Sequence, residues 1–236
     1  MQAIPEIHAD ADALADAAVA KILGWLGDNH GRFSICLSGG STPKRLYERM
    51  AKLPLPFDRI HWFFGDERCV PPGDAKRNET MVRAALLDHV PAPEANIHAI
   101  PVTASPAESA VAYEATLKAY YGQDVLDAGR PLFDLMLLGL GSDGHTASLF
   151  PGKPALAVTG HWAVSSEAGL DPFVPRVTLT FPAIASSRHT VFLVSGADKQ
   201  VMLKRALAGD DLPAARVTSI GSIEWLVDKA AIGQTA

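Results

Sequence analysis

Two short stretches of the chain gather residue types that could do chemistry together. Gly139-Leu140-Gly141-Ser142-Asp143-Gly144-His145 sets an imidazole two residues after a carboxylate, inside a glycine-rich turn. A carboxylate that orients a histidine suits a general base, one that draws a proton from water. Ser38-Gly39-Gly40-Ser41-Thr42 combines two glycines with three hydroxyls. Such a turn lets the backbone come close to a ligand, and a helix starting behind it offers free N–H groups to a phosphate monoester. No P-loop lysine accompanies it, which disfavours a nucleoside triphosphate. Arg68, Lys76, Arg77, Arg176 and Lys199 are cations that could complete an anion site. Charge-assisted hydrogen bonds contribute about 1.5–3 kcal/mol each, so two or three would hold a phosphate.

Each stretch has a plainer reading. Gly139–Gly144 fits GxGxxG, and Glu167 lies at a distance suited to a ribose, so a dinucleotide turn is one alternative. Pro151 and Pro154 would cut its helix short, and a pyrophosphate cradle needs neither Asp143 nor His145. Leu140 stands where a nucleophile elbow needs glycine, which removes the support for a serine hydrolase. Ser38–Thr42 could be no more than a capped turn. Asp66-Glu67-Arg68 could be a solvated charge cluster or part of a metal site. No further carboxylate or His pair falls at ligand spacing, so no metal and no cofactor is expected.

The elements that must position these residues follow from periodicity. Phe33–Leu37, Ile60–Phe64 and Phe133–Leu138 are continuous apolar runs, as expected of strands buried on both faces. Val177–Thr180 and Thr190–Val194 read as further strands. Val217–Ile220 reads as a last one, with a closing helix around Trp225. Helices are expected over residues 8–28, from Pro43, over 78–89, over 106–121 and from the Gly196–Lys199 loop to Leu207. Another should begin at His145, where its N-terminus would disfavour the imidazolium and keep the base neutral. Strands alternating with helices predict an α/β fold: a single-domain open sheet, mostly parallel, with helices on both faces, over residues 1–236. In such sheets ligands bind beyond the carboxyl ends of the strands. Four of these strands end in a polar or glycine-rich turn, and those turns should meet at one edge.

Composition bounds the partners. The chain has 236 residues and a net charge of −5, which argues against a general nucleic-acid binder. The N-terminus lacks the basic and apolar regions of a signal peptide, and no apolar run is long enough to span a membrane. Cys36 and Cys69 form no CxxC pair and read as reduced thiols, with a disulfide the lesser alternative. A cytoplasmic protein without an obligate protein partner is expected.

Taken together, five stretches resemble the 6-phosphogluconolactonase family. They are Leu37–Pro43, Trp62–Pro71, Phe133–Pro151, Arg176–Thr180 and Gly196–Lys199. Their order and spacing fit from near residue 33 to the C-terminus. The family implies a modified Rossmann-like fold and hydrolysis of 6-phospho-D-glucono-1,5-lactone in the oxidative pentose phosphate pathway. Glucosamine-6-phosphate deaminases are similar in the Ser38–Pro43 and Asp143–His145 turns. They have DEY where this chain has Asp66-Glu67-Arg68, and a glutamate-containing sequence where this chain has Thr146–Pro151. Where the family usually has Ser-Asn, this chain has Arg77-Asn78.

Residues and resemblance together nominate His145, Asp143 and Arg68 for catalysis. His145 would activate water, Asp143 would orient it, and Arg68 would face the developing oxyanion. Substrate contacts are expected from Ser38, Gly39, Gly40, Ser41, Thr42, Asp66, Arg77, Asn78, Gly144, Arg176 and Lys199. The alternatives are an amino-sugar phosphate deaminase or isomerase, and a non-catalytic sugar-phosphate sensor of the same fold.

Overall fold

A computed structural model describes residues 4–234. A short strand, β1 (Glu6–His8), precedes helix α1 (Ala11–Asp28). The sequence predicts one helix from residue 8. Asp10 ends that possibility: its extended backbone caps α1 by accepting the N–H groups of Asp12 and Ala13 at 2.9 and 2.8 Å. Leu14, Ala18, Ile22 and Leu26 recur at helical spacing on the buried side.

Strand β2 (Phe33–Leu37) leads into α2 (Ser41–Met50), which starts two residues before the expected Pro43. Strand β3 (Ile60–Phe64) is followed by a three-residue strand, β4 (Asp66–Arg68). Helix α3 (Asn78–Ala85) ends earlier than expected, and a tight turn at Leu87–His89 follows it. Helix α4 (Pro106–Tyr121) matches its expected span. Ser105 caps it, Pro106 opens it and Gly122, at φ 79°, closes it. Then come β5 (Phe133–Leu138), β6 (Ala163–Ser166), β7 (Arg176–Leu179), α5 (Phe181–Ala185), β8 (Ser187–Val194), α6 (Gln200–Ala208) and β9 (Ser222–Asp228).

Six strands form an open parallel sheet in the order β1-β9-β8-β5-β2-β3. Every residue of β2 is buried, as are four consecutive residues of β5 and five of β8. Successive side chains point to opposite faces, so both faces of the sheet are covered. Three further strands form a separate antiparallel sheet, β4-β7-β6. Gly65 is the crossing point between the two. Its N–H donates to Leu37 of the parallel sheet, and its carbonyl accepts from Leu179 of β7.

Three further expectations fail. Residues 217–220 form no strand, and Trp225 lies inside β9 instead of a helix. Its ring stacks on Phe192 of β8 at 3.8 Å, a packing choice that local sequence does not encode. No helix follows Gly144. The chain turns back at once through a bridge between Thr146 and Leu149, with Ala147 at φ 48°. His145 therefore does not sit at a helix N-terminus, and the dipole argument for its neutrality does not apply.

Candidate active site

Strands β8, β5, β2 and β3 are neighbours and run parallel, so their carboxyl ends share one edge. A cleft of about 260 Å³ opens there. The turn after β5 supplies Gly139–Ser142 and His145–Ala147. The turn after β2 supplies Ser38–Gly40, and Lys199 comes from the loop after β8. Asp66 and Arg68 of β4, Asn78 of α3 and Leu170 form the remaining wall.

The His145 turn is built around its imidazole. Asp143 Oδ1 accepts from the backbone N–H of His145 at 3.0 Å and lies 2.6 Å from Nδ1. An ionised carboxylate can only accept, so Nδ1 carries a proton, and the neutral form of this imidazole has its lone pair on Nε2. Nε2 makes no hydrogen bond among the described residues. Burial alone raises the Asp143 carboxyl, but the hydrogen bonds from His145 outweigh it and hold it below its ordinary value. The ring packs against Phe150 at 4.4 Å. Its other side rests on Gly141, where a Cβ would fall 2.0 Å from Nδ1. Only glycine at 141 leaves room for this imidazole.

The β2 turn is clasped by Tyr47. Its hydroxyl accepts from the Ser38 N–H at 2.9 Å and donates to the Ser38 carbonyl at 2.8 Å. Ser41 and Thr42 do not line the cleft but follow Gly40, which does; no side chain caps α2, so their N–H groups have no side-chain partner. The Lys199 loop is tethered from β9. Asp228 accepts from Ser195 Oγ and from the N–H groups of Gly196 and Ala231.

The β4 wall is a network of buried polar groups. Arg68 Nη1 donates to Asn78 Oδ1 at 2.7 Å, and Asn78 Nδ2 donates to the Asp66 carbonyl at 2.9 Å. Ser148 Oγ donates to Asp66 Oδ2 at 2.5 Å. Asn78 packs so tightly on Gly39 that a Cβ at 39 would meet its Oδ1 at 2.0 Å.

Several nominated residues do not line the cleft. Gly144 is buried behind the turn, where its carbonyl accepts from Ala214 at 3.0 Å. Arg77 is 2% exposed, and its guanidinium donates to Glu79, Ile100 and Val70. Arg176 is also buried and donates to the carbonyls of Pro172 and Val174. It stands opposite Arg68 in the β4–β7 register. Arg77 is held by the Glu79 carboxylate and the Val70 and Ile100 carbonyls, and Arg176 by carbonyls of the loop before it, pairings that no sequence motif announces. The sequence also offers no sign of Ser148 or Leu170 as parts of this edge. Among the described residues no group of three or more His, Cys, Asp or Glu side chains could hold a metal ion. Cys36 and Cys69 are both free thiols.

The chain resembles known proteins in sequence and in fold. The family model described as glucosamine-6-phosphate isomerases/6-phosphogluconolactonase matches residues 9–225. The chain belongs to that family. It is 41% identical over 240 residues to a 6-phosphogluconolactonase of a Nostoc species, with 98% of both chains covered. It is 45% identical over 208 residues to a Synechocystis 6-phosphogluconolactonase, covering 85% of this chain and 84% of the relative. The crystal structure of the Thermotoga maritima 6-phosphogluconolactonase superposes with a TM-score of 0.85 at 30% identity, covering 96% of this chain and 100% of that one. A monomeric glucosamine-6-phosphate deaminase has a TM-score of 0.81 at 19% identity with full coverage of both chains, a likeness of fold alone. The family contains both activities, so the choice between them rests on the cleft.

Proposed function

We propose that the chain hydrolyses 6-phospho-D-glucono-1,5-lactone to 6-phosphogluconate, with His145 as the general base. The observation that carries this is the Asp143–His145 pair, whose free Nε2 lies in a cleft lined by the cations Arg68 and Lys199. Nε2 takes a proton from water as its oxygen attacks the lactone carbonyl. The carbonyl electrons move onto oxygen, and Arg68 faces that oxyanion. Collapse expels the ring oxygen, which recovers the proton from Nε2. Asp143 keeps the imidazole in the required tautomer and supports its transient positive charge. The phosphate is assigned to Lys199 and to the Ser41 and Thr42 N–H groups. Asp66 and Asn78 shape the wall that receives the sugar.

Hydrolysis is favoured over deamination because Thr146–Pro151 carries no carboxylate to partner His145, whose partner is Asp143. On the same footing we assign the chain to the oxidative pentose phosphate pathway and to the cytoplasm. The test is lactone opening followed against the spontaneous rate. Purified protein should accelerate it. Ammonia release from glucosamine 6-phosphate in place of lactone opening would overturn the assignment in favour of a deaminase. Binding of 6-phosphogluconate without turnover would mark a sensor.

A further inference from the structure

Glu67 belongs to neither the base nor the cations, yet it is among the most buried charged residues of the chain, at 2% exposure. Side chains alternate along β4, so Asp66 and Arg68 face the cleft while Glu67 points behind it. There its Oε1 accepts from the backbone N–H groups of Arg68 and Asn78, at 2.7 and 2.8 Å. Its Oε2 accepts from the Glu79 N–H at 2.8 Å and lies 3.7 Å from Arg77 Nε. Asn78 and Glu79 are the first two residues of α3, whose own N-cap, Arg77, makes no capping bond. Glu67 therefore caps α3 from another element.

From this geometry we infer that Glu67 is a positioning residue, which sets Arg68 and Asn78 in the cleft through their backbone N–H groups. One carboxylate ties the strand that carries Arg68 to the helix that carries Asn78. The Arg68–Asn78 side-chain bond at 2.7 Å then completes a closed loop of contacts. Asn78 in turn fits against Gly39, so the same anchor sets the spacing between the β4 wall and the β2 turn. Burial pushes the Glu67 carboxyl up against the pull of the Glu79 and Asn78 N–H groups and of Arg77.

The inference rests on the lactonase reading, and a double-mutant cycle tests it. Glu67→Gln keeps the shape but turns a donor toward the Glu79 N–H. Its kcat/KM for the lactone should fall about tenfold, the scale of exchanging a charge-assisted bond for a poorer one. In an Arg68→Lys background the same change should cost less than about twofold, because the group it positions is already altered. Tyr113→Phe, which frees the Phe64 backbone from a buried hydroxyl, serves as a control for lost stability alone. Glu67→Gln activity within about twofold of wild type overturns the inference, and so does a full tenfold loss repeated in the Arg68→Lys background. If the Gln variant does not fold, Glu67→Asp carries the same cycle. Wild-type protein that fails to open the lactone sinks the functional reading only. Amide exchange at Glu79, the N–H that would face the new amide donor, then decides: fast in Glu67→Gln if the carboxylate holds the start of α3, unchanged if it does not.

Discussion

His145 and His98 are both partly buried imidazoles, and each has one short contact to another titratable side chain. His145 meets a carboxylate, Asp143, at 2.6 Å through Nδ1 and lines an open cleft. His98 meets a second imidazole, His61, with 3.1 Å between His98 Nε2 and His61 Nδ1, and stacks on Phe63 at 4.4 Å. Tyr120 packs against both rings of that pair, and Arg32 lies over Tyr120. Burial, and then its His61 neighbour, push His98 down to about 4. A positive charge on His145 has a carboxylate to meet it, whereas one on His98 has only burial and another base. The first environment suits an imidazole that must pass through its charged form, and the second suits one that stays neutral as part of a packed cluster.

The sharpest way to break this contrast is to remove each imidazole and read both activity and stability. His145→Asn should lower lactone turnover by about two orders of magnitude or more, as expected for the loss of a general base, with little change in thermal midpoint. Near-normal turnover would remove His145 from the mechanism. Asp143→Asn should act through the imidazole and cost on the order of tenfold in kcat, the difference between a charge-assisted and a neutral partner. A rise in KM at constant kcat would instead make Asp143 a substrate contact.

His98 predicts a pH effect on stability and none specific to catalysis. Its folded value lies below the unfolded one, so the unfolded chain binds the proton more readily. Its contribution is complete above about pH 6.5, the unfolded value, and is lost as pH falls toward about 4, its folded value. Burial, and then Arg32, lower His61 as well, which steepens the same loss. The urea midpoint should therefore drop across this window in wild type and less in His98→Gln. An identical slope in the variant would assign the effect elsewhere. The smallest effect is expected from Arg176→Lys, which gives up donors to the Pro172 and Val174 carbonyls. It should cost about 1 kcal/mol of stability by denaturant unfolding and leave kcat nearly unchanged. A large fall in kcat would place Arg176 in the cleft after all.

What the sequence revealed, and what it hid, follows the range of the interactions involved. Helix α4 was legible to its ends because Ser105, Pro106 and Gly122 are local signals. Strands β2 and β5 were legible because burial on both faces demands unbroken apolar runs. The turns they carry met at one edge, as their parallel direction requires. The β4-β7-β6 sheet was not legible, apart from the position of β7. Its short strands bury Glu67 and Arg176; Glu67 depends on the N–H groups of Asn78 and Glu79 in another element, and Arg176 on backbone carbonyls of the loop before it, and residue type announces neither. For the same reason Arg77 looked like a free cation after a turn, while Ile100 and Glu67 enclose it. The helix expected at His145 failed for a local reason that composition conceals: the chain doubles back between Thr146 and Leu149.

The pairing of β1 with β9 has a consequence for biosynthesis. The sheet joins a strand near the start of the chain to one near its end, and Asp228 in that late strand holds the loop of Lys199. A growing chain on the ribosome will have emitted the Ser38 and His145 turns well before the tether for Lys199 appears. Lys199, the cation proposed to hold the phosphate, gains its fixed place last, so a nascent chain holds the Asp143–His145 pair before it holds a complete cleft.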